Sequence, residues 1–190
     1  CAERMIPVVL ECGGKDPVIV AADADIDMAA EYALWSAMSN AGQTCIGAER
    51  VYVESEVADQ FISKIKKMAE QIHPGEHGNY GPATMPSQLN IIQSHIDDAV
   101  NKGGKFLVGS LDSVKPPFVE PVILLDVPED STAITDGLAI GITLIIMSLL
   151  NAVNVVLQEL VNSQETTSTS SSVEEVYVLL VSPEIGALFN

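Results

Sequence analysis

The chain has 190 residues, enough for one domain with a sizeable core, and its 47% hydrophobic content argues against global disorder. A net charge of −17 and a pI near 4.2 argue against nucleic acid as a partner, because phosphate contacts need clustered Lys and Arg. Three cysteines (Cys1, Cys12 and Cys45) give neither a disulfide framework nor a short paired metal spacing, so a reducing, cytoplasmic setting is expected and no metal is assigned.

Residues 1–8 include Glu3 and Arg4 and lack an apolar core, so no secretory signal is read there. The first residue is Cys rather than Met, and the chain is expected to begin inside a longer product or after processing. All nine Lys and Arg lie between Arg4 and Lys115, and the 75 residues from Pro116 to Asn190 contain none. The last third therefore follows a different compositional rule.

In chain order, Val8-Val9-Leu10 and Pro17-Val18-Ile19-Val20 predict two short buried strands around a Gly13-Gly14 turn. A helix follows through Met38, with Asp25 as its N-cap and acids near the positive end of its dipole. Arg50 to Val53 predicts an alternating strand. Val57 to Ile72 predicts an amphipathic helix with Lys64, Lys66 and Lys67 toward solvent, ended by Pro74-Gly75. Gln88 to Asn101 is a further helix, closed by Gly103-Gly104. Strands are predicted at Lys105–Val108 and Pro121–Val127, then at Ile142–Met147, followed by a buried helix.

Strand and helix alternating at this rhythm predict an α/β fold, an open twisted, largely parallel sheet flanked by helices. Residues 137–158 carry no charge, but Thr143, Ser148, Asn151 and Asn154 and the lack of a basic flank favour buried strand and helix over a membrane span. Ser163 to Ser172 reads as a Ser/Thr-rich linker, and Val173 to Val181 as one more strand.

Two segments carry chemistry. Asn40-Ala41-Gly42-Gln43-Thr44-Cys45 frames a thiol with small and amide residues, and Glu11-Cys12-Gly13-Gly14-Lys15 puts a carboxylate beside two glycines 34 positions earlier (45 − 11). A thiolate is strongly nucleophilic near neutral pH, and a carboxylate can take a proton from water, as a covalent thioester mechanism requires. On these residues the chain resembles the aldehyde dehydrogenase superfamily, in motif, order and separation. Supporting matches are Asp23-Ala24-Asp25-Ile26-Asp27, the Gly81-Pro82 turn, Gln88 to Gly104 and Phe118-Val119-Glu120-Pro121. The likeness is good over residues 1–130, diverges over 131–162, and ends before the linker 163–172 and the tail 173–190.

The resemblance implies the catalytic-domain fold of that family, oxidation of an aldehyde to a carboxylic acid with NAD or NADP, and residue roles. Cys45 is the implied nucleophile and Glu11 the general base, with Cys12 and Gly13 beside the nicotinamide ribose. The substrate is a small aldehyde, with Cys45 to Arg50 similar to members acting on semialdehydes, and homo-oligomers are the rule in the family. Two departures stand out. The family's cofactor-binding domain, which precedes the Glu motif, is not in these residues. Its Glu-Glu-x-Phe-Gly-Pro segment is replaced by Asp136-Gly137-Leu138-Ala139-Ile140-Gly141, without the ribose-holding Glu. An inactive fragment or degenerate copy serving as an assembly module is the alternative.

Other constellations carry no site. Asp23, Asp25 and Asp27 mimic a calcium loop, yet Met28 takes the required Gly position. His73 and His77 flank Pro74-Gly75, which breaks zinc-helix geometry, and Gly13-Gly14-Lys15 lacks phosphate-loop spacing.

Overall fold

A computed structural model describes residues 2–9, 13–136, 143–148 and 179–181. Its elements, in order, are β1 (Asp16–Val20), α1 (Ile26–Met38), β2 (Ala48–Val53), α2 (Ser55–Ala69), α3 (Pro86–Asn101), β3 (Lys105–Val108), β4 (Val114–Lys115), β5 (Phe118–Val119), β6 (Val122–Leu125), α4 (Thr132–Thr135), β7 (Thr143–Ser148) and β8 (Leu179–Val181). Six strands form one sheet in the order β3-β6-β7-β2-β1-β8. All neighbours run parallel except β3 against β6, which closes one edge antiparallel. This is the largely parallel α/β sheet that the alternation predicts.

Parallel strands need long crossovers, and the helices between them bury both sheet faces. That explains β2. The sequence suggests alternation from Arg50 to Val53, but all six residues of β2 are buried, Glu49 and Arg50 included. With β1 on one side and β7 on the other, β2 lies inside the sheet and has no solvent face.

α1 begins where Asp25 accepts hydrogen bonds from the backbone N–H groups of Asp27 and Met28 at 3.0 and 3.1 Å. Such a cap satisfies donors that the first helical turn leaves open. Its buried face is Ile26, Ala29, Ala30, Ala33, Leu34, Ala37 and Met38, a helical stripe whose small residues permit close packing. α2 packs beside it through Phe61 and Ile65, both fully buried, and Lys64 reaches Asp27 at 2.7 Å. Burying a side chain of that size stabilises by about 1.5–3 kcal/mol. α2 is shorter than predicted, ending at Ala69, because the chain already turns at Glu70-Gln71. On the outer side of α1, Met28, Tyr32 and Trp35 stand exposed at helical spacing.

Two further differences from the sequence reading concern strands. Val8 and Val9 form no strand and are exposed. A β-branched run becomes a strand only where a neighbour accepts its hydrogen bonds, and none pairs with it among the described residues. The strand read at Pro121–Val127 is confined to Val122–Leu125, and that at Ile142–Met147 falls at Thr143–Ser148 with Leu144, Ile145 and Ile146 buried. β8 occupies the end of the Val173–Val181 prediction. The helix after β7, the linker 163–172 and most of the uncharged run 137–158 lie outside the described residues. No helix among the described residues is long and apolar enough to cross a membrane.

Candidate functional site

α1 ends beside the sheet, and the chain must reverse sharply to enter β2. It does so through a 3₁₀ turn at Ser39–Gly42 in which three successive residues are left-handed. Asn40 has φ 53° and ψ 35°, Ala41 φ 61° and ψ 32°, and Gly42 φ 67°. Gly42 adopts this freely, and Asn tolerates it. For Ala41 the crowding of Cβ and carbonyl costs about 1–2 kcal/mol. Strain of this kind persists where surrounding contacts over-determine it, and it concentrates at functional sites.

Those contacts centre on Gln43. Its Nε2 donates to the carbonyls of Asn40 and Pro82 at 3.0 and 3.2 Å, and its Oε1 accepts from the N–H and hydroxyl of Thr84 at 2.7 and 2.9 Å. Asn40 answers by donating its Nδ2 to the Gln43 carbonyl at 3.0 Å. Cys45 follows in a second turn closed by Gly47 N–H donating to Thr44 O at 3.0 Å. The N–H of Ala48 then donates to Ser36 Oγ at 3.0 Å, tying the start of β2 back to α1. Cys45 is exposed on this braced hairpin of turns, and no hydrogen bond engages its backbone N–H among the described residues.

The glycine segment meets this turn directly. A Cβ on Gly14 would lie 2.5 Å from the Cys45 carbonyl oxygen and 2.7 Å from Asp16 Oδ1, so only glycine fits there. Lys15 continues the contact. Its backbone carbonyl accepts from Arg50 Nε and Nη2 at 3.2 and 2.7 Å, and its ammonium pairs with the Glu49 carboxylate. The same ammonium donates to the Ala133 carbonyl at 3.1 Å. α4, which supplies that carbonyl, is held to α3 by Asp98, whose Oδ2 accepts from Ser131 Oγ and Thr132 N–H, both at 2.8 Å. These bonds hold the Asp98 carboxyl down at about 2.

Electrostatically, Lys15, Asp16, Glu49 and Arg50 form a cluster next to Gly14, with Glu49 and Arg50 buried and Lys15 and Asp16 partly so. Burial pushes the Glu49 carboxyl up to about 7, against the pull of Lys15 and Arg50. Burial likewise raises Asp16 and lowers His95, whose Nε2 lies 3.6 Å from Asp136 Oδ2.

Of the residues singled out from sequence, Cys45 stands exposed in the turn that follows the strained one, and Gly13 is exposed next to the Gly14 contact. Glu11 and Cys12 lie outside the described residues. His73 and His77 sit exposed in a loop, as read.

Sequence reading missed the brace at Gln43 and the buried pair of Lys15 with Glu49. Two charges inside the otherwise apolar stretch Ala48–Val53 were the available signal for the second. Nothing local signals the first, whose partners are 39 and 41 residues away.

The fold is a largely parallel α/β sheet with an exposed thiol between a strained turn and β2, and glycine backbone pressed against it. The chain belongs to the aldehyde dehydrogenase family, whose sequence pattern matches residues 1–147. It is 39% identical over 141 residues to glutarate-semialdehyde dehydrogenase of Pseudomonas aeruginosa, covering 72% of this chain and 29% of that enzyme. To the NADP(+) succinate-semialdehyde dehydrogenase of Escherichia coli it is 38% identical over 136 residues, covering 69% and 28%. Among solved structures, NADP-dependent glyceraldehyde-3-phosphate dehydrogenase of Bacillus halodurans, in complex with NADP, superposes with a TM-score of 0.70 at 35% identity. That match covers 77% of this chain and 32% of the other. The chain thus spans less than a third of the length of the relatives it matches.

Proposed function

We propose that this chain is the thiol-bearing part of an enzyme that oxidises a small aldehyde, a semialdehyde by the names of its relatives, to a carboxylic acid with NAD or NADP. The observation that carries the reading is Cys45, exposed just after a strained turn braced by Gln43, with its backbone against Gly14. The Cys45 thiolate adds to the aldehyde carbon and forms a thiohemiacetal, whose oxyanion needs a donor. The uncommitted Cys45 N–H is available for that oxygen. When bound, the oxidised nicotinamide supplies the acceptor for the hydride that leaves this carbon. The resulting Cys45 thioester is hydrolysed by a water that gives its proton to Glu11, releasing the acid and restoring the thiol.

An exposed thiol whose backbone meets Gly14, with the exposed Gly13 next in the chain, fits the nicotinamide end of the cofactor, and Gly13 and Cys12 are the backbone that would hold it. The rest fits less well. Asp136, the acid at the ribose-binding segment, faces His95, and Gly137 stands where relatives place the second Glu. Cofactor binding to this chain is therefore expected to be weak, but measurable at millimolar concentration. Association with further copies belongs to the same reading and is supported by the exposed stripe Met28, Tyr32 and Trp35. A reducing, cytoplasmic setting would keep Cys45 a free thiol.

The test is to incubate the chain with succinic or glutaric semialdehyde and NAD or NADP. Absorbance reports reduced nicotinamide, and peptide mass spectrometry reports an acyl group on Cys45. Product that depends on both reactants supports the enzyme. No nicotinamide binding at millimolar concentration supports the assembly module instead.

A further inference from the structure

We propose that Gln43 is a positioning residue, an amide clamp that sets Cys45 for acylation by locking the strained turn to the loop at residues 82–84. This rests on Cys45 being the nucleophile. A primary amide can donate two hydrogen bonds and accept two, and Gln43 makes all four. Two end on the opposite loop through Thr84, one on Pro82 of that loop, and one returns to Asn40 within the turn itself.

The loop it grips is fixed from behind. Tyr80 is buried and donates its hydroxyl to the Val119 carbonyl at 2.7 Å, and Ala83 N–H donates to Pro117 O at 2.9 Å. The Gln43 side chain therefore links the left-handed turn to a loop that is itself bonded to Pro117 and Val119. Only Thr44 separates this clamp from Cys45. Releasing it leaves Asn40 and Ala41 free to leave φ 53° and 61°, which re-aims the following backbone N–H and sulfur together.

Acylation and alkylation separate positioning from simple exposure. Alkylation by iodoacetamide needs only an accessible thiolate, whereas acylation by 4-nitrophenyl acetate also needs the oxyanion held in place. The native chain is compared with Gln43→Ala and Thr84→Val, with Cys45 followed by peptide mass spectrometry to distinguish it from Cys1 and Cys12. The expected result for Gln43→Ala is a kcat for acylation at least about tenfold lower, with KM and the alkylation rate within about twofold of native. Thr84→Val keeps the Thr84 N–H bond and loses only the hydroxyl, so its kcat should fall about two- to fivefold.

Native kcat in Gln43→Ala overturns the proposal. Should that variant not fold, Thr84→Val decides, with native kcat overturning it and the smaller fall supporting it. Failure of the underlying reading looks different: the native chain alkylates at Cys45 but is never acylated there, and the clamp falls with it.

Discussion

Cys45→Ser should lower hydrolysis of 4-nitrophenyl acetate by at least about a thousandfold while leaving the fold intact. The first half of this expectation is chemical. A serine hydroxyl stays protonated near neutral pH unless a base activates it, whereas a thiol supplies a usable fraction of thiolate. Ester cleavage needs no hydride acceptor, so the experiment asks about the nucleophile without requiring a cofactor to bind. The second half is structural. Cys45 is exposed, and its side chain fills no core space, so replacement by an isostere should change stability by no more than about 0.5 kcal/mol. Cys1→Ser serves as the control and should hydrolyse at the native rate. Equal rates in Cys45→Ser and native chain would remove Cys45 from the chemistry.

Gly14→Ala should act on both stability and reaction. Its new Cβ would sit 2.5 Å from the Cys45 carbonyl oxygen, a backbone atom that no rotamer change can move aside. Either the glycine segment or the thiol turn must shift. Overpacking of this kind costs about 1–3 kcal/mol, measurable as a lower urea midpoint at constant m-value. Because the atom displaced belongs to Cys45 itself, acylation should fall at least about tenfold, beyond any effect on folding. Gly81→Ala makes the contrast, since a Cβ there meets nothing within 4 Å, and it should behave as native. If Gly14→Ala also behaves as native, the two segments are not pressed together in solution.

Much of this architecture is visible in the sequence because local physics decides it. Asp25 before an Ala-rich stripe fixes the start of α1, and Lys105–Val108, bounded by glycines, becomes β3 with the predicted limits. Val8 and Val9 show the limit of that logic, since strand propensity cannot create a pairing partner. β2 shows another. Whether Glu49 and Arg50 face water depends on the strands on either side, and only the assembled sheet makes them a buried cluster with Lys15.

The site divides the same way. Residue type and order single out Cys45, and Gly13-Gly14 is legible as a turn, but that position 14 must be glycine because it meets the Cys45 backbone is not. What holds the thiol in place is not. The left-handed conformation of Ala41 runs against its residue type, and the bonds that keep it there come from Thr84 and Pro82 through Gln43. Contacts between segments some forty residues apart follow from topology, which the local pattern does not encode.

If the Glu11 segment and Cys45 act on one bond, the acyl group on Cys45 should outlive its native lifetime in Glu11→Gln, as followed by quenched-flow sampling and peptide mass spectrometry after a pulse of 4-nitrophenyl acetate. A glutamine at position 11 keeps the size of the side chain and removes its basicity, so acylation should proceed and deacylation should slow at least about a hundredfold. Acyl-Cys45 would then accumulate to near stoichiometry. An acyl group that leaves Cys45 at the native rate in Glu11→Gln would exclude Glu11 as the base, and one found on another side chain would exclude Cys45 as the nucleophile.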